Sequence, residues 1–125
     1  MNDKDAALMM LFKSVEDRLT VDFMTFADAL KEWEIVPLSQ NNEIIGGVLI
    51  KENELHIGYG KQPKGSILPH LKKTLQKVMQ KYGFAVTSVA KSNIKGLNFC
   101  KRLGFVELSQ DNAKILLRCD RSHYV

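Results

Sequence analysis

Cysteine is scarce. The 125 residues hold two, Cys100 and Cys119, too few for a disulfide framework and without metal-ligand spacing. No metal site is expected from them, and the pattern fits a reducing compartment. The histidines, His56, His70 and His123, are scattered. No uninterrupted apolar run approaches the roughly 18 residues that a membrane span requires. The opening Met-Asn-Asp-Lys-Asp lacks the basic start and apolar middle of a signal peptide. These absences predict a soluble cytoplasmic protein with no membrane partner. Linkers, repeats and low-complexity tracts are missing as well, so one domain is expected over residues 1–125, helical over 1–33 and with its core over 43–119. A chain of this length buries about two-thirds of its extended surface, and a composition 45% hydrophobic and 26% charged is that of an ordinary globular domain.

The most informative absence is of acidic residues in the middle of the chain. From Gly60 to Arg102 there are ten basic residues (Lys61, Lys64, Lys72, Lys73, Lys77, Lys81, Lys91, Lys95, Lys101 and Arg102) and no Asp or Glu. Residues 1–59 carry eleven acids against five bases, so a net charge of +4 conceals a segregated pattern. Such a block calls for an anion: a phosphate-bearing cofactor, a nucleic acid or an acidic partner surface. Nucleic acid is disfavoured, because aromatic residues are not interleaved with the lysines and no helix-turn-helix or zinc spacing is present.

Periodicity sets out the elements. Ala6, Leu8, Met9, Leu11, Phe12, Val15 and Leu19 form one apolar stripe, predicting a helix over 5–19. Phe23, Phe26, Ala27, Leu30 and Trp33 predict a second helix, with Thr20 or Asp22 as N-cap. The period then shifts to two. Strands are expected over 34–39, broken near Pro37, over 44–50, and over 54–59, where Leu55, Ile57 and Tyr59 share one side and Glu54, His56 and Gly58 the other. Ile67, Leu68, Leu71, Leu75, Val78, Met79 and Tyr82 mark the best helix in the chain, with Pro69 in its first turn and Gly83 ending it. A strand over 84–90, a short helix over 93–103 and a hairpin from 105–108 to 113–119 complete an α+β, or mixed α/β, order. One right-handed βαβ crossover is expected, from strand 54–59 to strand 84–90.

Two segments point to chemistry. Gly60-Lys61-Gln62-Pro63-Lys64-Gly65-Ser66 precedes the long helix, where unpaired backbone N–H groups and the helix dipole suit an anion. Gly65 permits close approach, Ser66 can cap, and Lys61 and Lys64 add charge. The same loop also reads as a plain strand-to-helix turn with solvated lysines. The second segment runs from Ser92 to Glu107 and resembles the C-terminal signature of the GNAT superfamily of N-acetyltransferases, N-x-x-(A/G)-x-x-F-Y-x-K-x-G-F, through Asn93, Gly96, Phe99, Leu103, Gly104 and Phe105. The upstream loop then corresponds to that superfamily's acetyl-CoA loop, (Q/R)-x-x-G-x-(G/A), through Gln62 and Gly65, with Ile67 in place of the last small residue.

The resemblance spans about 43–119 and implies a GNAT-like fold, with a mostly antiparallel sheet, helices on both faces, and two strands that part to admit the pantetheine arm. It implies acetyl-CoA as cofactor, held by Gln62, Lys64, Gly65, Ser66 and Ile67 with Asn93 beside the pantetheine, and direct acyl transfer to the amine of a small molecule or protein. Where many members carry the Tyr that protonates the leaving thiolate, this chain has Cys100, a residue that on a helix face ordinarily serves as a small buried hydrophobe. Glu54 and His56 are the candidate general bases, each of which also reads as an ordinary solvated or packed side chain. The family begins with a strand for which no counterpart is expected before Asp5. The chain is thus similar to compact GNAT-like proteins, such as phages encode, and pairing into a homo-oligomer or larger assembly is expected. A catalytically degenerate module acting through a partner is the alternative reading.

Overall fold

A computed structural model describes residues 2–120, with the backbone alone for Arg18; His123 lies outside them. The described residues fall into two compact units, one built from residues up to Lys51 with His56–Ser66, the other from Glu52–Leu55 with the residues from Ile67 onward.

In the first unit, α1 (Asp3–Val15) is followed by a 3-10 turn (Glu16–Arg18), α2 (Phe23–Ala29), the antiparallel hairpin of β1 (Glu34–Gln40) and β2 (Glu43–Lys51), and the part of β3 (Glu54–Tyr59) from His56 on. Both helices start on side-chain caps. Asn2 Oδ1 accepts from Asp5 N–H at 2.8 Å and Asp22 Oδ1 from Thr25 N–H at 2.9 Å. The core of this unit gathers Ala7, Leu8, Leu11 and Ile35, with Phe23, Phe26, Ala27, Leu30, Ile44 and Leu49 packed against them. Phe12 meets Phe23 and Phe26 edge-on at 5.6 and 5.3 Å between ring centroids.

The second unit holds the start of β3, then α3 (Leu68–Tyr82), β4 (Phe84–Ala90), α4 (Ile94–Arg102), β5 (Val106–Gln110) and β6 (Lys114–Asp120). α3 buries Leu71, Leu75, Val78 and Met79, as its 3.6-residue period demands, and leaves Lys72, Lys73, Lys77 and Lys81 exposed. Gly83 ends it at φ 85°, its N–H bonded to Met79 O at 2.9 Å. β3 and β4 run parallel, in register at Glu54 and Val86, which makes β3-α3-β4 the crossover. The buried Thr87 hydroxyl donates to Leu55 O. β4–β6 and β5–β6 are antiparallel. The strand order of the sheet is β1-β2-β3-β4-β6-β5, giving a mixed α+β fold with a six-stranded sheet.

Several expectations are corrected. β1 is not broken at Pro37, because an edge strand tolerates a residue without an N–H; the irregularity is a bulge between Leu38 and Ser39. α1 ends at Val15, four residues before Leu19, and α2 at Ala29, so that Leu30 to Trp33 form turns. Tyr59 and Tyr82, expected on apolar sides, are each exposed at the ends of their elements. Among the described residues, no helix is long and apolar enough to cross a membrane.

Candidate functional site

The loop from Gly60 to Ser66 is held at three points within its unit. Gly60 N–H donates to Ile45 O at 2.9 Å. Lys61 Nζ reaches both carboxylate oxygens of Glu43, at 2.9 and 2.8 Å. Lys64 N–H donates to Gln40 Oε1 at 2.7 Å, while Gln40 Nε2 donates back to Lys64 O at 3.0 Å. Gln40 and Glu43 flank Asn41 and Asn42, whose φ values of 53° and 64° are those of a tight hairpin turn. The hairpin therefore carries two side chains that grip the loop, a feature that sequence reading missed because Gln40 reads as turn polarity. Two of the expected phosphate donors are changed by it. The Lys64 N–H already has an acceptor, and Lys61 is partly neutralised by Glu43.

Gly65 stands apart. Its φ is 76°, a left-handed conformation that side-chain-bearing residues seldom adopt, and a Cβ there would meet nothing within 4 Å. Its glycine is thus required by backbone conformation, and the space beside it is open. Among the described residues, the N–H groups of Gln62 and Gly65 have no protein acceptor. Gln62, Lys64, Gly65 and Ser66 are exposed.

In the second unit, Ile67 is buried and occupies the N-cap position of α3, offering no side-chain oxygen, with Pro69 in the first turn. Asn93 is the N-cap of α4: its Oδ1 accepts from Gly96 N–H at 3.0 Å, with Gly96 tucked against the carboxamide. The Asn and Gly of the signature are therefore joined by a local capping bond. Cys100, also on α4, is buried, and burial pushes its thiol up to about 11. It is thus a protonated thiol throughout the neutral range. Glu54 is half-buried at the start of β3.

His56 belongs to the first unit, where its ring lies 5.6 Å from that of Trp33, centroid to centroid. Lys51 Nζ sits 5.9 Å over Trp33. A sequence reading that placed Trp33 on a helix stripe could not find this neighbour. Among the described residues, no group of three or more His, Cys, Asp or Glu side chains could hold a metal ion.

No family model matches the chain, and neither does any curated protein. Solved structures do. A chimeric spermidine N-acetyltransferase built from Vibrio cholerae and hSSAT sequences superimposes with a TM-score of 0.73 at 17% identity, over 99% of this chain and 94% of the other. A ribosomal-protein-alanine N-acetyltransferase from Brucella melitensis gives 0.72 at 12% identity, over 94% of each chain. FdhC, described as a nucleotide-linked sugar GNAT, gives 0.68 at 18% identity, over 99% of this chain and 85% of the other. The element order β-β-β-α-β-α-β-β after two helices, with its single parallel crossover, is thus the fold of the GNAT N-acetyltransferases.

Proposed function

We propose that the chain is an acyl-CoA-dependent N-acyltransferase that passes an acyl group directly to an amine. The observation that carries this reading is the exposed loop before α3, in which Gly65 takes a left-handed backbone beside open space and the Gln62 and Gly65 N–H groups remain available as donors. A diphosphate is held by N–H donors that no protein group already occupies, and the acid-free stretch from 60 to 102 supplies a favourable field. The residues present fit coenzyme A on that test. Gln62, Lys64, Gly65, Ser66 and Ile67 would hold it through backbone and charge, with Asn93 beside the pantetheine. When bound, acetyl-CoA supplies the activated thioester carbonyl.

In this reading the chain's own groups manage protons. Glu54 or His56 takes the proton released as the neutral amine attacks, and Cys100, protonated at neutral pH, donates to the leaving sulfur. The acceptor is an amine. The neighbours' names include spermidine and ribosomal-protein-alanine acetyltransferases, and the acidic first half of this chain would favour a cationic substrate of either the small-molecule or the protein kind.

A second reading is favoured by one observation. Cys100 is buried and stands where the resemblance leads one to expect a Tyr, and a buried thiol with its titration pushed to about 11 is a poor match for proton transfer near neutrality. A catalytically degenerate GNAT-like module acting through a partner or an assembly would have this composition. Thermal denaturation with acetyl-CoA at about 100 times its dissociation constant should raise stability by about 2.7 kcal/mol if the cofactor is held. Thiol release with a panel of polyamines and peptide amines then separates the readings: turnover supports the enzyme, binding without turnover the degenerate module, and no stabilisation at all contradicts both cofactor-holding forms.

A further inference from the structure

The Gln40 carboxamide pairs with the Lys64 peptide as a neighbouring strand would, giving one bond and receiving one across 24 residues of sequence. Three features of the same unit make this a built latch. The Asn41-Asn42 turn, both residues at positive φ, closes the β1–β2 hairpin with Gln40 and Glu43 paired across it. Glu43 holds Lys61 with both carboxylate oxygens. Gly60 N–H is tied to Ile45 O on β2. The hairpin thus fixes the loop at residues 60, 61 and 64, and the residue after the last tie is Gly65, which has a left-handed backbone and whose N–H has no acceptor among the described residues.

We infer that Gln40 is a positioning residue for the anion-binding loop, orienting the Lys64–Gly65 peptide so that the following N–H groups are ordered before a ligand arrives. The inference rests on the acyl-CoA reading above and adds to it a residue outside the loop and outside the signature. Ordering a loop in advance removes part of the entropy that binding must otherwise overcome, so the latch acts on cofactor affinity. It has a corollary for the loop itself. The Lys64 N–H is committed to Gln40 and does not serve the phosphates, leaving that work to the N–H groups that follow.

The test uses the full-length protein and three variants, Gln40→Ala, Gln40→Met and Gln40→Glu. Met keeps the length of the side chain and removes its hydrogen bonds; Glu keeps an acceptor for the Lys64 N–H. Hydrogen exchange without ligand should accelerate at the Lys64 amide by about tenfold or more in the Ala and Met variants and stay slow in Gln40→Glu, with the melting temperature held. Coenzyme A titrated into the wild type and Gln40→Met should bind the variant about fivefold or more weakly. Equal affinity for the two proteins, or a Lys64 amide unmoved by Gln40→Met, overturns this inference and leaves the functional reading standing. A wild type that fails to bind coenzyme A while its Lys64 amide responds as described overturns the functional reading, and with it the role in affinity.

Discussion

Gly46 on β2 faces Gly58 on β3 so closely that a methyl group at position 46 would overlap the Gly58 carbonyl oxygen and lie 2.7 Å from the Tyr59 Cα. The obstruction is backbone on both counts and cannot turn aside. Gly46→Ala should therefore destabilise the protein by about 1–3 kcal/mol or more. Gly47→Ala meets only side chains of α1, the Leu11 Cδ1 at 3.1 Å and the Ala7 Cβ at 3.3 Å. Urea denaturation of the two variants should rank Gly46→Ala as the more damaging; equal midpoints would contradict the close approach of β3 to β2.

Asn93 caps α4 through the Gly96 N–H. Asn93→Ala should cost about 1 kcal/mol, and Asn93→Ser or Asn93→Asp should restore most of it, since either side chain can accept the same bond. Equilibrium unfolding of the three variants checks this. Because the capping oxygen is already occupied, a change in coenzyme A affinity that tracks the Ala variant but not the Ser variant would trace to the helix start, not to a lost side-chain contact with the ligand.

Cys100 and Cys119 both titrate near 11 in the folded chain, against an ordinary 9.0, chiefly because burial penalises the thiolate; for Cys119 the Asp120 charge adds to it. The folded state thus binds more protons than the unfolded state between those values. Their contribution to stability is fully present below about pH 9 and is lost as the pH rises towards about 11. Urea midpoints at about pH 7, 9 and 10.5 should fall over the upper interval, and the fall should be shallower in a Cys100→Ala, Cys119→Ala double variant. An identical pH profile in the double variant would contradict the burial argument.

Much of this architecture was legible from local chemistry. Leu71, Leu75, Val78 and Met79 announce α3 by spacing, Gly83 ends it, and Asp22 caps α2, because each rule concerns residues within a turn or two of one another. The strand expected over 44–50 is apolar at nearly every position, the composition of a strand covered on both sides, and Ile45 to Val48 are all buried. What escaped was non-local or terminal. Nothing near Gln40 marks it as the partner of Lys64, since a polar residue beside a turn is what any hairpin shows. Trp33 continued a helical spacing numerically, yet the chain had left the helix at Ala29, and the ring went to His56. Tyr59 and Tyr82 obeyed the right period at the ends of their elements, where the covering structure runs out. Within the candidate site, Gly65 was legible as a point of close approach, but its left-handed φ of 76° was not, and the commitments of Lys61 to Glu43 and of the Lys64 N–H to Gln40 depend on a hairpin whose register no local rule specifies.

The cofactor loop is tested most directly by calorimetric titration of coenzyme A into the wild type and into Gly65→Val, a substitution that a left-handed φ of 76° resists, at a position where an added Cβ would meet nothing within 4 Å. The account predicts one site per chain in the wild type and an affinity lowered about tenfold or more in the variant, with the fold retained by circular dichroism. Absence of binding heat in the wild type across several temperatures, or undiminished affinity in Gly65→Val, would contradict it.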